Sequence, residues 1–427
     1  MTLLNVISSM DPKGGGTSQA IRHNTPELMR LGWVCEVVTL DASSAEYLGQ
    51  DTFPVHALGP CRTSWAYSSR LRVWLRQNLP RFDRVLVHGL WQYPAVVARQ
   101  ECRRAGKPYY IMPHGMLDPW FQRDPSRRAK SLRNEIYWRL LENRTVRDAA
   151  AMLFTCEEEL SLARTTFSGY FPKRELNVGF GIQAPPPAEP KQKAAFLAEC
   201  PTLAGRPYLL FLSRIHPKKG IDLLLRSYIK YARDNAAGLT SLSALVIAGP
   251  LDSSYAREIQ SLAANLLTAF FTANAHLNRN DVSAPAIYFP GMLQNDAKWG
   301  AFYGCESFIL PSHQENFGIA VVEALACGKP VFITDQVNIW REIVTSGGGC
   351  ARPDTPEGIQ ALIGDAFSKE TVQLCQGAAR QVFETHFTIT SAARRLDDAL
   401  GQQVSLLPSK VRAKKSVRLI GSEPSAL

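Results

Sequence analysis

The chain has 427 residues, of which 45% are hydrophobic and 20% are charged, and its formal net charge is +10. This composition excludes a disordered tail protein, a coiled coil and a collagen-like fibre. The length allows two or three domains, each large enough to bury its own core, and we expect two.

Three further features of the composition bear on the compartment. The nine cysteines lie at least 22 positions apart, which disfavours a zinc ribbon and a disulfide framework. The first residues lack the basic segment of a signal peptide, and no run approaches the ~20 apolar residues of a spanning helix. We therefore expect a soluble protein of a reducing cytosol, with a cytoplasmic location.

Short β-branched and apolar runs alternate with longer segments of helical spacing along the whole chain. In the first half these runs are 3–7, 34–40, 84–88, 109–112 and 152–155, and in the second half they are 208–213, 244–248, 287–289, 307–310 and 330–334. Strands that alternate with helices predict right-handed crossovers and parallel sheets covered on both faces. The predicted fold class is therefore α/β, with two tandem, Rossmann-like, doubly wound domains that face a cleft.

The junction between the two domains is predicted at residues 183–193, with the sequence QAPPPAEPKQK. Its four prolines remove backbone donors and disfavour both a helix and a central strand, so we expect a hinge there. In parallel sheets of this kind, ligands bind beyond the carboxyl ends of the strands. Candidate chemistry is therefore sought at those ends.

A glycine-rich turn, Gly14 to Gly16, follows the first predicted strand. Backbone N–H groups of such a turn, with the helix start behind it, suit a phosphate. A plain flexible turn fits equally well, and neither a P-loop nor a dinucleotide-binding glycine pattern is present.

The positive charge is concentrated between residues 62 and 147, where 18 Arg and Lys face 6 Asp and Glu. Such a region suggests a polyanionic partner, either nucleic acid or an anionic membrane surface, and solvated helix faces are the alternative. Within it, residues 64–80 mix tryptophan and leucine with arginine in the manner of an interfacial helix. Core packing with a solvated arginine face is an equal alternative for that segment.

A histidine stands directly after the fourth predicted strand, in the sequence Pro113-His114-Gly115. At the mouth of the predicted cleft, His114 could hydrogen-bond a sugar hydroxyl or a phosphate. A structural role is the alternative, and the same two interpretations apply to His88 after the third strand.

Two cations five residues apart, Arg214 and Lys219, follow the first strand of the second domain. At a strand end beside a helix start they can together neutralise a leaving diphosphate, as a divalent metal does elsewhere. No two aspartates are spaced two apart, so the D-x-D metal clamp is missing. Solvated loop cations are the alternative interpretation.

The most specific feature is the segment from Glu315 to Glu323, ENFGIAVVE. Eight positions span about 2.2 helical turns, so both carboxylates can address one cleft if Glu315 precedes the helix. Residues 316–318 then present free N–H donors at the helix start. A carboxylate in a helix with a buried apolar face is costly without a partner, and ribose hydroxyls are good donors to it.

Three stretches together, SRIHPKKGID at 213–222, ENFGIAVVE at 315–323 and PHGMLDPW at 113–120, resemble the retaining glycosyltransferases of family 4, within glycosyl transferases group 1. The resemblance extends from about residue 3 to about residue 400 and implies the GT-B architecture. It implies an acceptor-binding domain at 1–183, a nucleotide-sugar domain at 194–386, and a helix at 387–405 that crosses back to the first domain. Residues 406–427, a basic tail, lie outside the shared pattern.

The resemblance also implies roles for single residues. Arg214 and Lys219 would hold the donor diphosphate, Glu323 the ribose, and Glu315 would lie near the transferred sugar. His114 would face that sugar from the first domain, and with Arg214, Lys219 and Glu315 it completes the catalytic set. The remaining implied donor-binding residues are Gly15, Gly16, Asn316, Phe317, Gly318 and Ile319.

The activity implied is transfer of a hexose from UDP- or GDP-hexose, with retention and without a metal or cofactor. The implied acceptor is a saccharide, polyprenyl-diphosphate-linked under the membrane interpretation, in surface polysaccharide synthesis. No residue is an obvious covalent nucleophile, and the resemblance implies a front-face reaction. Alternatives are a sugar-nucleotide 2-epimerase and a non-catalytic partner subunit; without a stacking motif or zinc module, no nucleic-acid partner is expected.

Overall fold

The computed structural model describes residues 1–12, 16–61, 63–123, 128–203, 205–236, 240–278 and 281–402. Gly15 and the predicted basic tail at 406–427 lie outside the described residues.

The first half of the chain forms a seven-stranded sheet in which all neighbouring strands are parallel. The strand order is β3-β2-β1-β4-β5-β6-β7, with β1 Thr2–Val6, β2 Val34–Thr39, β3 Val55–Ala57, β4 Arg84–His88, β5 Tyr109–Met112, β6 Ala151–Phe154 and β7 Glu175–Asn177.

The second half forms a six-stranded parallel sheet of the same kind. Its order is β10-β9-β8-β11-β12-β13, with β8 Tyr208–Leu212, β9 Ala244–Ala248, β10 Ile287–Gly291, β11 Ser307–Leu310, β12 Val331–Thr334 and β13 Gly349–Arg352. The predicted fold class, two doubly wound α/β domains, is confirmed.

Helices connect the strands of both sheets. They are α1 Gly16–Arg30, α2 Ser69–Asn78, α3 Tyr93–Ala105, α4 Trp120–Arg123, α5 Arg128–Tyr137, α6 Asn143–Asp148, α7 Glu157–Thr166, α8 Pro190–Glu199, α9 Ile221–Asn235, α10 Ser254–Ala273, α11 Asn295–Gly304, α12 Ile319–Ala326, α13 Trp340–Thr345, α14 Pro356–Phe367, α15 Lys369–Val382 and α16 Ile389–Gly401. Among the residues that the structure describes, no helix is both long and apolar enough to span a bilayer.

All ten predicted apolar runs coincide with strands, but three strands were not predicted. β3, β7 and β13 are three or four residues long and stand at the sheet edges. Because an edge strand keeps part of its surface in water, its sequence lacks the continuous apolar run of a central strand. In β9, by contrast, every residue is buried.

A helix begins inside the segment where a hinge without helix was predicted. α8 starts at Pro190, where proline is tolerated because the first helical position has no intrahelical N–H bond to lose. The backbone N–H of Glu189 donates to Gln192 Oε1 at 3.0 Å just before this start. Only residues 183–189 are therefore non-helical, and the predicted domain boundaries stay a prediction.

The chain passes between the domains a second time near residue 388. Ile182 N–H donates to the carbonyl of Phe387 at 3.0 Å, and Ile389 N–H donates to the carbonyl of Ile182 at 3.1 Å. Beyond this crossing, α16 lies on the first domain, where Asp397 accepts from the indole of Trp33 at 2.7 Å and Leu400 accepts from Arg84 at 3.0 Å.

The segment 64–80, for which two interpretations were open, packs into the first domain. Leu71 and Leu75 of α2 are buried, and Trp74 packs against the same core. Arg76 donates to Glu101 at 2.9 Å, and Arg72 lies 3.5 Å from the same carboxylate. α2 is therefore a core-packed helix with paired arginines.

Candidate active site

A cavity of about 980 Å³ lies between the two domains, at the carboxyl ends of their strands. The first domain contributes Gly16, Thr17, His114, Thr155 and Phe180, and the second contributes Arg214, Glu315, Asn316, Phe317, Gly318, Ile319 and Glu323, among others. Ten of the eleven predicted site residues lie in the described part of the chain, and nine of these ten line this cavity.

The two predicted diphosphate cations occupy different positions. Arg214, two residues beyond β8, is exposed on the cavity wall, and it makes no hydrogen bond or ion pair with the described residues. Lys219 is the exception among the predicted residues, because it is buried behind the wall and forms an ion pair with Glu315. Lys219 therefore lies next to the cavity only through its ion pair with the Glu315 carboxylate, whereas the Arg214 side chain lines the cavity directly.

Glu315 is held by the backbone on both sides. Its N–H donates to the carbonyl of Gln336 at 2.9 Å, and its carbonyl accepts from Asn338 at 3.0 Å. α12 follows, with Gly318 before its first residue at φ +74°, a left-handed conformation that suits glycine. The first backbone N–H groups of α12 thus lie at the cavity wall, beside the Glu315 carboxylate.

Glu323, one turn into α12, is nine-tenths buried and pairs with Lys298 of α11 at 2.6 Å. Burial raises the pKa of the Glu323 carboxyl, and the nearby Lys298 ammonium opposes that rise. The sequence did not identify Lys298, because a single lysine in a helix that precedes a strand forms no pattern with the E-x7-E segment.

The ring of His114 contacts the ring of His88 near the carboxyl ends of β4 and β5. His88 Nδ1 lies 3.0 Å from His114 Nε2, and His88 Nε2 lies 3.0 Å from Asn5 Oδ1. Burial lowers the pKa of His114 to about 4, and burial together with the His114 ring holds the pKa of His88 well below its ordinary value. Both rings are therefore neutral near pH 7 and act as hydrogen-bonding groups.

A buried carboxylate that sequence reasoning missed organises the first-domain wall. Glu159 accepts from the N–H of Gly115 at 2.6 Å and from both the N–H and the hydroxyl of Thr155, at 2.7 and 2.6 Å. Asn316 of the second domain donates to that same hydroxyl at 3.4 Å. A Cβ at Gly115 would lie 2.7 Å from the Asn316 side chain, so the domains touch here through a glycine.

Aromatic rings also join the two domains at the cavity. Phe317 stands edge-to-face with Phe180, with 4.6 Å between ring centroids, and 5.8 Å from Phe387. The predicted role of Phe317 was to present its backbone, and its side chain is in fact a buried interdomain contact.

The first glycine-rich turn is described only in part. Gly16 is the first residue of α1 and lines the cavity, so its N–H lies at a helix start that faces the second domain. Gly15 lies outside the described residues.

A second cavity, of about 660 Å³, lies within the first domain and shares Thr17 with the interdomain cavity. Its lining combines aromatic and polar side chains, among them Ser9, Trp65, Trp91, Arg133 and Tyr137. His88 also lines it, so the His88–His114 pair stands between the two cavities.

Two parallel sheets that face a ligand-sized cleft form the GT-B architecture, and the comparisons with known proteins identify the family. The model for "Glycosyl transferases group 1" matches residues 200–381, and that for "Glycosyl transferase 4-like domain" matches residues 15–177. The chain therefore belongs to the family-4-like glycosyltransferases of group 1.

Curated relatives match parts of the chain. The D-inositol 3-phosphate glycosyltransferase of Frankia alni is 31% identical over 126 residues, which are 29% of this chain and 27% of that protein. The protein of the same name from Kineococcus radiotolerans is 28% identical over 199 residues, 46% and 42% of the two chains. The matches thus span less than half of the length of these relatives.

Solved structures share the whole fold. Anabaena HepE, solved in complex with UDP and glucose, superposes with a TM-score of 0.66 at 16% identity, over 94% of this chain and 99% of that chain. Sucrose-phosphate synthase from Thermosynechococcus elongatus superposes with a TM-score of 0.64 at 15% identity, over 93% and 98%. At these identities the likeness concerns the fold.

Proposed function

We propose that this protein transfers a hexose from a nucleotide-diphosphate sugar to a saccharide acceptor, with retention at the anomeric carbon. The interdomain cavity carries the proposal, because it brings a cation, two carboxylates and a helix N-terminus from one domain opposite a histidine from the other. A UDP-hexose is the first candidate donor, since Anabaena HepE was solved with UDP and glucose. A GDP-hexose is the second.

The diphosphate of the donor would lie between Arg214 and the start of α12. Arg214 faces the cavity without another described partner, so its guanidinium is available for bidentate contact with phosphate oxygens. The N–H groups after Gly318 add partial positive charge at a helix start. Lys219 would supply charge from behind Glu315, and these groups together would do the work of a metal ion.

The ribose and the sugar would lie on either side of that diphosphate. Glu323 can accept from ribose hydroxyls, because its carboxylate lines the cavity while Lys298 occupies one of its oxygens. Glu315 and His114 line the wall where the hexose would bind, and a neutral imidazole can both accept from and donate to a sugar hydroxyl.

The proposed reaction needs no covalent enzyme intermediate. The bond between the anomeric carbon and the phosphate oxygen breaks, and the acceptor hydroxyl forms its bond on the same face. The acceptor proton passes to the departing phosphate oxygen, so charge and atoms balance. The contribution of the protein is electrostatic stabilisation of the leaving diphosphate, and the loss of one such group costs about 3 to 4 kcal/mol by analogy with oxyanion donors.

The acceptor would bind in the second cavity, which reaches the first through Thr17 and the two histidines. Its tryptophan and tyrosine rings suit the apolar faces of a saccharide. The basic region at 62–147 favours a phosphorylated, lipid-linked acceptor, and hence surface polysaccharide synthesis at the cytoplasmic face of a membrane.

A thermal-shift screen over nucleotide-diphosphate sugars tests the donor assignment. We expect one UDP- or GDP-hexose to raise the melting temperature, and Glu323→Ala to weaken that shift. Glu370→Ala, an exposed carboxylate on α15, is the matched control and should leave the shift unchanged. An equal response to ATP, or an equal shift in both variants, would contradict the proposal.

Product analysis separates this activity from the alternatives. A transferase releases free nucleoside diphosphate in proportion to acceptor, and the activity survives a chelator if Arg214 and Lys219 replace a metal. A 2-epimerase would convert the donor without acceptor, and a non-catalytic subunit would bind the donor without releasing nucleotide.

A further inference from the structure

The helix that lines the second cavity carries an exposed apolar stripe on another face. Leu132, Ile136 and Leu140 are 65%, 52% and 61% exposed. They are spaced four residues apart, through α5 and the π-helical turn Trp138–Glu142 that continues it, so they lie on one side. Large aliphatic side chains on one exposed stripe indicate an interaction surface.

Two arginines flank this stripe. Arg128 and Arg139 are exposed on the same helical segment, and Arg128 is four residues before Leu132 in the same row. The acidic residues of the segment are already engaged, since Glu135 pairs with Arg139 and Glu142 is fully buried. The surface defined by these five exposed residues, Arg128, Leu132, Ile136, Arg139 and Leu140, is called the α5 surface below.

We propose that the α5 surface docks on an anionic lipid bilayer, with the leucine and isoleucine side chains among the headgroups and the cations on lipid phosphates. Apolar side chains flanked by Lys and Arg on one helix face are the pattern of interfacial helices. A second copy of this chain fits less well, because a two-fold contact would bring the cations of both copies together.

The opposite side of the helix connects this surface to the proposed chemistry. Arg133, Asn134 and Tyr137 line the second cavity, and the indole of Trp65 donates to Tyr137 at 2.7 Å. One helix therefore separates the cavity from the bilayer. This link, which rests on the proposed function, places the sugar of a lipid-linked acceptor within reach of the cavity while its lipid stays in the membrane.

The sequence raised membrane contact for a different helix, the segment 64–80, with core packing as an equal alternative. Leu71 and Leu75 of α2 are in the core and Arg72 and Arg76 are paired with Glu101, whereas the aliphatic stripe of α5 faces outward. The distinction could not be made from sequence, because both segments mix aliphatic residues with arginine at helical spacing.

Co-sedimentation of the full chain with vesicles tests the proposal. We expect binding to vesicles of phosphatidylcholine with phosphatidylglycerol, little binding to phosphatidylcholine alone, and weakening by salt. Leu132→Ser/Ile136→Ser/Leu140→Ser should lower the affinity for the anionic vesicles by roughly tenfold or more. Arg128→Gln/Arg139→Gln should remove most of the salt-sensitive part.

Two control variants make the outcome specific. Leu374→Ser changes an aliphatic residue that is 76% exposed on α15 of the second domain, and it should bind vesicles as the parent does. Neutralising Lys410, Arg412, Lys414 and Lys415 near the end of the chain separates attraction by those cations from docking by the α5 surface. If that variant loses all binding, or the triple serine variant keeps it, the proposal is wrong.

The molecular mass in solution and the donor thermal shift separate membrane docking from the remaining alternatives. A concentration-dependent dimer that the triple serine variant abolishes, without vesicle binding, would overturn the proposal in favour of a second copy. The donor thermal shift should persist in every surface variant, because the altered residues of the α5 surface and of α15 do not line the interdomain cavity. A parent chain that fails to bind vesicles but shows the donor shift would refute membrane docking alone, and an absent donor shift would refute the proposed function alone.

Discussion

At the scale of single residues, His114 combines an unusual backbone with a buried ring. Its φ is +52°, in the left-handed region that non-glycine residues rarely occupy, and its ring lies against His88. Asparagine tolerates this conformation better than most residues, so His114→Asn removes the imidazole with little backbone strain. The variant therefore removes the titration of this ring, together with its effect on the pKa of His88.

We expect folding stability to depend on pH through His114. Burial lowers its folded-state pKa from 6.5 to about 4, so the unfolded chain binds more protons between these values. The stabilisation is complete above pH 6.5 and is lost as the pH falls toward 4. Urea unfolding at about pH 7 and about pH 5 should show that the parent loses about 2 kcal/mol more than His114→Asn does.

Other groups contribute to the same range and, apart from His88, which loses the effect of the His114 ring on its pKa, are common to both proteins. Burial raises the pKa of Glu142 to about 7, so its contribution has the opposite slope and falls as the pH rises from 4.5. His276→Asn, at an exposed position beyond α10, is the control and should behave as the parent. Equal losses in the parent and in His114→Asn would refute the assignment.

A site residue could be identified from the sequence when it has a fixed place relative to a predicted strand or to another motif residue. Arg214, Glu315 and Glu323 were identifiable because each has a fixed distance from a predicted strand end or from another carboxylate. Lys298 and Glu159 lie on helices far away in sequence, and only folding brings them to Glu323 and Gly115. The burial of Lys219 also escaped prediction, because spacing gives the position of a cation but not its partner.

At the scale of elements, the central strands were predictable, whereas three of the four edge strands and the start of α8 were not. A central parallel strand must be apolar on both faces, whereas β3 and β7 keep every residue partly exposed. The start of α8 shows the same limit, since proline forbids the middle of a helix but fits its first position.

The contact between the two interdomain connections leads to a prediction about Gly181. A Cβ there would lie 2.4 Å from the carbonyl oxygen of Thr388 and 2.6 Å from the backbone of Ile389. Gly181→Ala should therefore push the two connecting segments apart and lower the free energy of unfolding by about 1–3 kcal/mol. Thermal melting and urea unfolding measure this loss.

A glycine-to-alanine change in an open position serves as the control. Gly377 lies in the exposed interior of α15, and an added methyl group there would meet nothing within 4 Å, so Gly377→Ala should stabilise by about 0.5–1 kcal/mol. If Gly181→Ala leaves the free energy of unfolding unchanged or raises it, the two connections do not constrain each other as the structure indicates.

At the scale of the whole molecule, the domains are held together by contacts outside the cavity. Gln314 donates to Asp118 at 3.1 Å and accepts from Lys218 at 3.1 Å, and the Lys218 ammonium lies 3.8 Å from the centroid of the Trp120 ring. Arg341 pairs with Glu158 at 2.6 Å on another part of the interface. These contacts, the interdomain clasp, stabilise the arrangement in which the first domain covers the proposed donor site.

Because closure of the two domains would exclude water from the donor, weakening the clasp should increase hydrolysis of the donor relative to transfer. Gln314→Ala/Arg341→Ala removes contacts worth about 1–2 kcal/mol together, which shifts the balance from closed to open by about 5- to 30-fold. We expect a larger radius of gyration in solution scattering and a higher ratio of donor hydrolysis to transfer. Arg352→Ala, which breaks an exposed pair with Asp365 inside the second domain, should change neither quantity. An unchanged ratio in the clasp variant, despite an increased radius, would show that closure does not protect the donor from water.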